Sequence, residues 1–175
     1  ALEKAHDAVV QMGDFARDNL KLSVELIKRF DAKKLERLTE TETALDKLEG
    51  LLDNYLVKLT DRALTSEESM KVSELLHTLS DFERIGDYAV NVSESAVILH
   101  ERGIAFSVQA QAELDGLTDA VIETMDKTMA CYETRQRYLA IQVEPLEEII
   151  DVMVERLRDQ HIRRLKDGIC SIDTG

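Results

Sequence analysis

A single proline, at position 145, punctuates this chain of 175 residues, and only seven glycines accompany it. In a helix interior proline costs about 3 kcal/mol and glycine about 1 kcal/mol relative to alanine, so long stretches contain nothing that stops a helix. Strands have little support. Aromatic residues make up 5% of the chain and tryptophan is absent, leaving few of the side chains that suit a pleated surface. The expected class is all-α: an antiparallel bundle of long helices joined by short links.

Apolar spacing divides the chain into five helices. Over 2–30, Val9, Met12, Ala16, Leu20, Val24 and Ile27 recur three and four residues apart, which describes one buried stripe. A second helix covers 33–60, with Leu45, Leu48, Leu52, Tyr55, Leu56 and Leu59 inward. The third covers 66–101. Thr65 with Glu68 forms a capping box at its start, and Gly103 supplies the left-handed turn after its end. Ser107 caps a fourth helix reaching residue 138 or so, and Pro145 suits the first turn of a fifth that stops near Gly168.

An internal repeat organises these five. Displaced by 105 residues, the first helix falls on the fourth and the second on the fifth. Val9, Met12, Ala16 and Leu20 meet Leu114, Leu117, Val121 and Met125, and Leu38 meets Val143. Any two amphipathic helices can be aligned on apolar residues alone. The acidic matches are more specific: Glu42 and Asp46 meet Glu147 and Asp151 in the same register. The reading is therefore a first three-helix bundle over 1–103, and over 104–175 two helices of a second, incomplete bundle whose sixth helix is missing. The chain begins Ala-Leu-Glu, already inside a helix, and reads as a fragment of a longer protein.

Hydrophobic residues make up 44% of the chain, enough for a packed interior, and the formal charge is −13, with 35 acidic against 22 basic residues. Such a surface repels nucleic acid and anionic lipid headgroups. It suits cations or basic partner surfaces, or serves solubility alone. Cys131 and Cys170 fit no zinc spacing and read as free thiols of a reducing cytoplasm. No leader peptide or membrane-spanning run stands out, so the fragment is expected to be soluble, without lipid insertion.

The chemistry concentrates on carboxylates four residues apart, which share one face of a helix at roughly 6 Å. Glu83 and Asp87 form such a pair against the apolar arc of Val72, Leu75, Leu76, Leu79, Phe82, Gly86 and Val90: Glu83 inside the arc, Asp87 at its edge. A carboxylate there loses hydration and needs a compensating charge, from an arginine such as Arg84 or from a metal ion. Gly86 lets another helix or a ligand approach, and Asn91 offers a weaker ligand one turn on. Glu42 and Asp46 are expected on the flank of the second helix, where they can meet Glu83 and Asp87; Glu147 and Asp151 repeat them without a partner helix.

Catalytic patterns fare poorly. Glu74-x-x-His77 and Glu3-x-x-His6 have the spacing of di-iron bundle enzymes, but the first pair projects away from the apolar arc and the second sits at a terminus. No phosphate loop, nucleophile elbow or Walker-type lysine is present. The chain is not expected to be an enzyme.

The run from Asp81 through Glu83-Arg84-Ile85-Gly86-Asp87 to Glu94 resembles the signature helix of the PhoU family. The resemblance implies two three-helix bundles related by a repeat, each with an E/D-x-x-x-D motif on its third helix. It further implies iron, zinc or nickel held by surface carboxylates, with Glu83 and Asp87 as ligands and Glu42 and Asp46 joining them. The stretch Arg158–Leu165, with Gly168, Cys170 and Gly175, is similar to the PhoU-like domain that ends sodium-dependent phosphate cotransporters. That likeness implies a regulatory domain at the cytoplasmic face of the membrane, with the transporter portion of its own polypeptide or a phosphate-signalling protein as partner. A second copy filling the open bundle is a further expectation. Rival readings are a stand-alone phosphate-signalling regulator and a metal-free docking module.

Overall fold

The helix starts follow from the local sequence. In the computed structural model, which describes residues 1–174, Asp31 Oδ1 accepts from the backbone N–H groups of Lys33 (2.9 Å) and Lys34 (3.3 Å) and opens the second helix. Thr65 and Glu68 close a reciprocal box: the Glu68 N–H donates to Thr65 Oγ1 (3.2 Å), and the Thr65 N–H donates to Glu68 Oε2 (2.9 Å). Ser107 Oγ accepts from Ala110 N–H at 3.2 Å. Gly103 takes a left-handed φ of 63°, and the next N–H, of Ile104, donates back to Leu99 O at 2.9 Å.

These signals delimit five α-helices among the described residues: α1 (Leu2–Lys28), α2 (Ala32–Thr60), α3 (Ser66–Arg102), α4 (Val108–Thr134) and α5 (Glu144–Lys166). No strand occurs among them. The all-α class expected from the sequence is the class observed. One boundary differs. The fourth helix ends at Thr134, short of 138, because Arg135 turns left-handed at φ 55° and residues 137–142 wind into a 3-10 helix. Without a glycine there, the turn falls on a residue that reaches it only at about 1–2 kcal/mol, so the sequence carries no stop signal.

The chain forms two compact units, residues 1–94 and the residues from Ser95 onward, with the division falling inside α3. In the first unit the buried positions follow sevenfold seams. On α1 the seam is Ala5, Val9, Met12, Ala16, Asn19, Ser23 and Leu26; on α3 it is Val72, Leu75, Leu79, Phe82, Gly86, Ala89 and Ser93. Steps of three and four in alternation are the spacing of knobs-into-holes packing. On α2 the buried leucines are Leu38, Leu45, Leu52, Leu56 and Leu59, and the seam positions between the first three are Glu42 and Glu49, both half-buried.

This phase corrects two expectations. Tyr55 is 40% exposed and Leu48 only half-buried, and including them had rotated the expected inward face of α2. Leu20, Val24 and Ile27 of α1 are likewise only half-buried, while Asn19 and Ser23 occupy the core.

The second unit is joined differently. Met125 and Met129 are the buried residues of α4, and Gly116 leaves room for the Met153 side chain of α5. The buried Arg164 guanidinium donates from Nη1 to both oxygens of Glu113, at 3.1 and 2.9 Å, tying α5 to α4. Among the described residues no helix is long and apolar enough to cross a membrane.

Candidate functional site

The acidic site lies in the first unit, where the seams of α2 and α3 meet at Gly86. A methyl group placed on Gly86 would stand 3.1 Å from Glu42 Oε2 and 3.1 Å from Leu45 Cδ1. The absent side chain is thus what lets a seam glutamate of α2 lie against α3. The Glu42 oxygen Oε2 is buried and has no hydrogen-bond partner. Beneath it on α1, Asn19 is fully buried and donates from Nδ2 to Leu38 O at 3.1 Å.

The electrostatics single out the same place. Burial pushes the Glu42 carboxyl above its ordinary value of 4.5, and the charges of Asp46, Asp87 and Glu83 push it further; a hydrogen bond with Asn19 acts the other way. Glu83 is also raised, first by burial, then by Asp87, Glu49 and Asp46. The charges that act most strongly on these two groups are all carboxylates. The arginine partner that would make the pair an ordinary polar flank is not among them.

Glu42, Asp46, Glu83 and Asp87, expected to converge from two helices, are therefore electrostatic neighbours. Their depths differ: Glu42 and Glu83 are half-buried, while Asp46 and Asp87 are exposed. Glu42 lies in the seam of α2 and not on its flank, for the phase reason given above. Asn91 is exposed one turn beyond Asp87, and Glu147 and Asp151 are exposed on α5 in the second unit, outside this cluster. Glu49 escaped the sequence reading, though the steps from 42 to 46 to 49 carried the signal. Asn19 escaped it as well, because a polar residue in an apolar stripe was passed over. Among the described residues no three His, Cys, Asp or Glu side chains already stand together as a closed ligand set. The arrangement is a field of oxygens with one orphaned acceptor and a glycine cradle, which fits a hard cation better than a thiophilic one.

The catalytic alternatives find no support. Glu74 and His77 are exposed, so this Glu-x-x-His pair does not point inward as a di-metal carboxylate enzyme requires. His6 pairs with its neighbour Asp7 at 3.8 Å. Cys131 and Cys170 are free thiols.

Comparisons with known proteins cover the same region of the chain. The PhoU domain family model matches residues 9–96, a span that holds most of α1, all of α2 and most of α3 with all five clustered carboxylates. Six curated relatives match. One is the phosphate-specific transport system accessory protein PhoU homolog of Xylella fastidiosa, 23% identical over 85% of this chain and 62% of its own length. Others are the homolog 1 of Thermotoga maritima, 19% identical over 89% of this chain and 67% of its own length, and the Synechocystis homolog, 22% identical over 98% and 86%. The chain thus spans about six-tenths of the first relative's length. No solved structure matches. With half of its length under one family model, the seams and the acidic helix included, the chain belongs to the PhoU domain family.

Proposed function

We propose that this chain is an accessory regulator of phosphate transport, acting without catalysis, whose first unit takes up a metal ion between α2 and α3. Glu42, Glu83 and Asp87 would hold the ion, Asp46 and Glu49 would complete its oxygen shell, and Asn91 would be a weaker contributor. The observation that carries this reading is a buried Glu42 oxygen without a hydrogen-bond partner, with Glu42 and Glu83 raised in pKa by burial and by the neighbouring carboxylates of Asp46, Asp87 and Glu49. Like charges brought together at a loss need a cation to balance them. Once bound, the cation would supply positive charge on which an acidic surface can hold phosphate. Of iron, zinc and nickel, an all-oxygen donor set favours ferric iron, the hardest of the three.

The phosphate link rests on the names of the relatives, all of which are accessory proteins of phosphate-specific transport. Those names favour a stand-alone regulator over a domain fused to a sodium/phosphate cotransporter. The fused reading, with its site at the cytoplasmic face of the membrane, rests on the stretch Arg158–Leu165. Sequence upstream of Ala1 separates the two, because only the fused form carries several membrane spans there. Association of two copies through the second unit is an expectation for sedimentation analysis.

Metal content tests the central claim. Protein exposed to iron, zinc and nickel and then dialysed should retain near-stoichiometric metal, and Glu83→Ala/Asp87→Ala should retain little. Equal, sub-stoichiometric metal in both proteins would leave a metal-free docking module as the reading.

A further inference from the structure

We propose that Asn19, on the one helix of the first unit that supplies no clustered carboxylate, is the positioning residue of the acidic site, holding Glu42 in the seam opposite Gly86. The inference rests on the metal-binding reading above and adds to it a residue that would touch no metal.

A side-chain amide carries two N–H donors. One Asn19 N–H is committed to Leu38 O at 3.1 Å, which pins the amide to the backbone of α2. Leu38 lies one helical turn before Glu42, so the amide sits beside the face of α2 that carries Glu42, and a hydrogen bond with Asn19 draws the Glu42 carboxyl downward against its burial. Asn19 is 0% exposed, and its Oδ1 has no hydrogen-bond partner. Desolvating an amide is costly unless its polar groups are used, so with the carbonyl idle the N–H groups carry the compensation for burying Asn19. On the other side, the missing side chain of Gly86 leaves a 3.1 Å clearance to Glu42 Oε2 and to Leu45. Glu42 is thus held from α1 and given room by α3. A glutamate without that tether has three rotatable bonds and would swing towards solvent.

A buried asparagine on a sevenfold seam has another established use, fixing helix register at a cost in stability. The test separates the two roles. Binding of ferric iron, added as its citrate complex, and of zinc to the purified protein would be followed by calorimetry in wild type, Asn19→Leu, Asn19→Ala and Ser23→Ala, each checked by thermal melting. A positioning role predicts that Asn19→Leu keeps or raises the melting temperature yet weakens metal binding by about 10–100-fold, the usual effect of removing the group that orients a ligand. Asn19→Ala should weaken binding to the same degree, and guards against failure of the leucine variant to fold. Ser23→Ala, one turn along the same seam, should bind as wild type does. Wild-type affinity in a folded Asn19 variant overturns the proposal, as does an equal loss in Ser23→Ala. A wild type that binds neither ion overturns the metal reading itself, and this inference with it.

Discussion

Gly50 and Gly86 both sit within helices, and a methyl group meets different surroundings at each. At Gly50 it would meet nothing within 4 Å. Gly50→Ala should therefore stabilise the protein by about 0.5–1 kcal/mol, the ordinary preference of a helix for alanine, seen as a higher urea midpoint. At Gly86 the same methyl runs into Glu42 and Leu45 at 3.1 Å. Overpacking of that kind costs about 1–3 kcal/mol, which outweighs the gain in propensity. Gly86→Ala should lower the urea midpoint and, by displacing Glu42, the metal content. The need for a small residue at Gly86 was legible from its place between two acidic positions. The approach of Glu42 to this helix was expected too; that Glu42 and Leu45 leave no room for a methyl group there was not, because the clearance between residues some forty positions apart is set only by packing.

Among the elements, the helix starts were the most legible part of the fold, since capping uses residues adjacent in sequence. Thr65→Ala removes the acceptor for the Glu68 N–H and should cost about 1 kcal/mol, measured by chemical unfolding. The join between α4 and α5 was not legible. Glu113 and Arg164 stand 51 positions apart, and nothing local marks them as partners. Glu113→Ala would leave a buried guanidinium without its counter-charge, a loss of about 3–5 kcal/mol. Because the chain has two units, amide exchange resolved over α4 and α5 is the suitable probe, and protection there should fall before protection in α1 and α2. An unchanged exchange pattern would show that Arg164 finds another acceptor.

For the molecule as a whole, the net charge of −13 acts on stability through the groups whose pKa moves. Glu42 and Glu83 are raised above 4.5, so the folded state holds their protons more tightly than the unfolded chain does. Their contribution favours the fold at low pH and is lost as pH rises through the raised values. Glu67 and Glu68 are lowered, by Lys71 and by Thr65 respectively, and their smaller, solvent-screened contribution is lost as pH falls below 4.5. Metal-free protein should accordingly melt at a higher temperature as pH is taken down from neutral towards about 5. Glu42→Gln/Glu83→Gln should flatten that rise. With metal bound the slope should reverse, because protons compete with the cation for the same oxygens. A melting temperature that falls steadily on acidification of both metal-free proteins would contradict the assignment.

The sequence by itself determined the helical class, the caps, most of the buried stripes of α2 and α3 and the acidic motif on α3. All of these are written in residues within a few turns of one another, where backbone geometry and burial act on neighbours. Only the tertiary structure decided the true phase of α2, which turned Glu42 from a flank residue into a seam residue and brought the charge of Glu49 to bear on Glu83. Half-buried leucines and tyrosines look inward to a periodicity count, and which of them is covered depends on the helix that packs against them. It also gave Asn19 its place beneath the site, since a polar residue on an apolar stripe acquires meaning only from the groups packed against it. The single proline and few glycines made long helices certain; the way their seams meet at Gly86 made an acidic site of them.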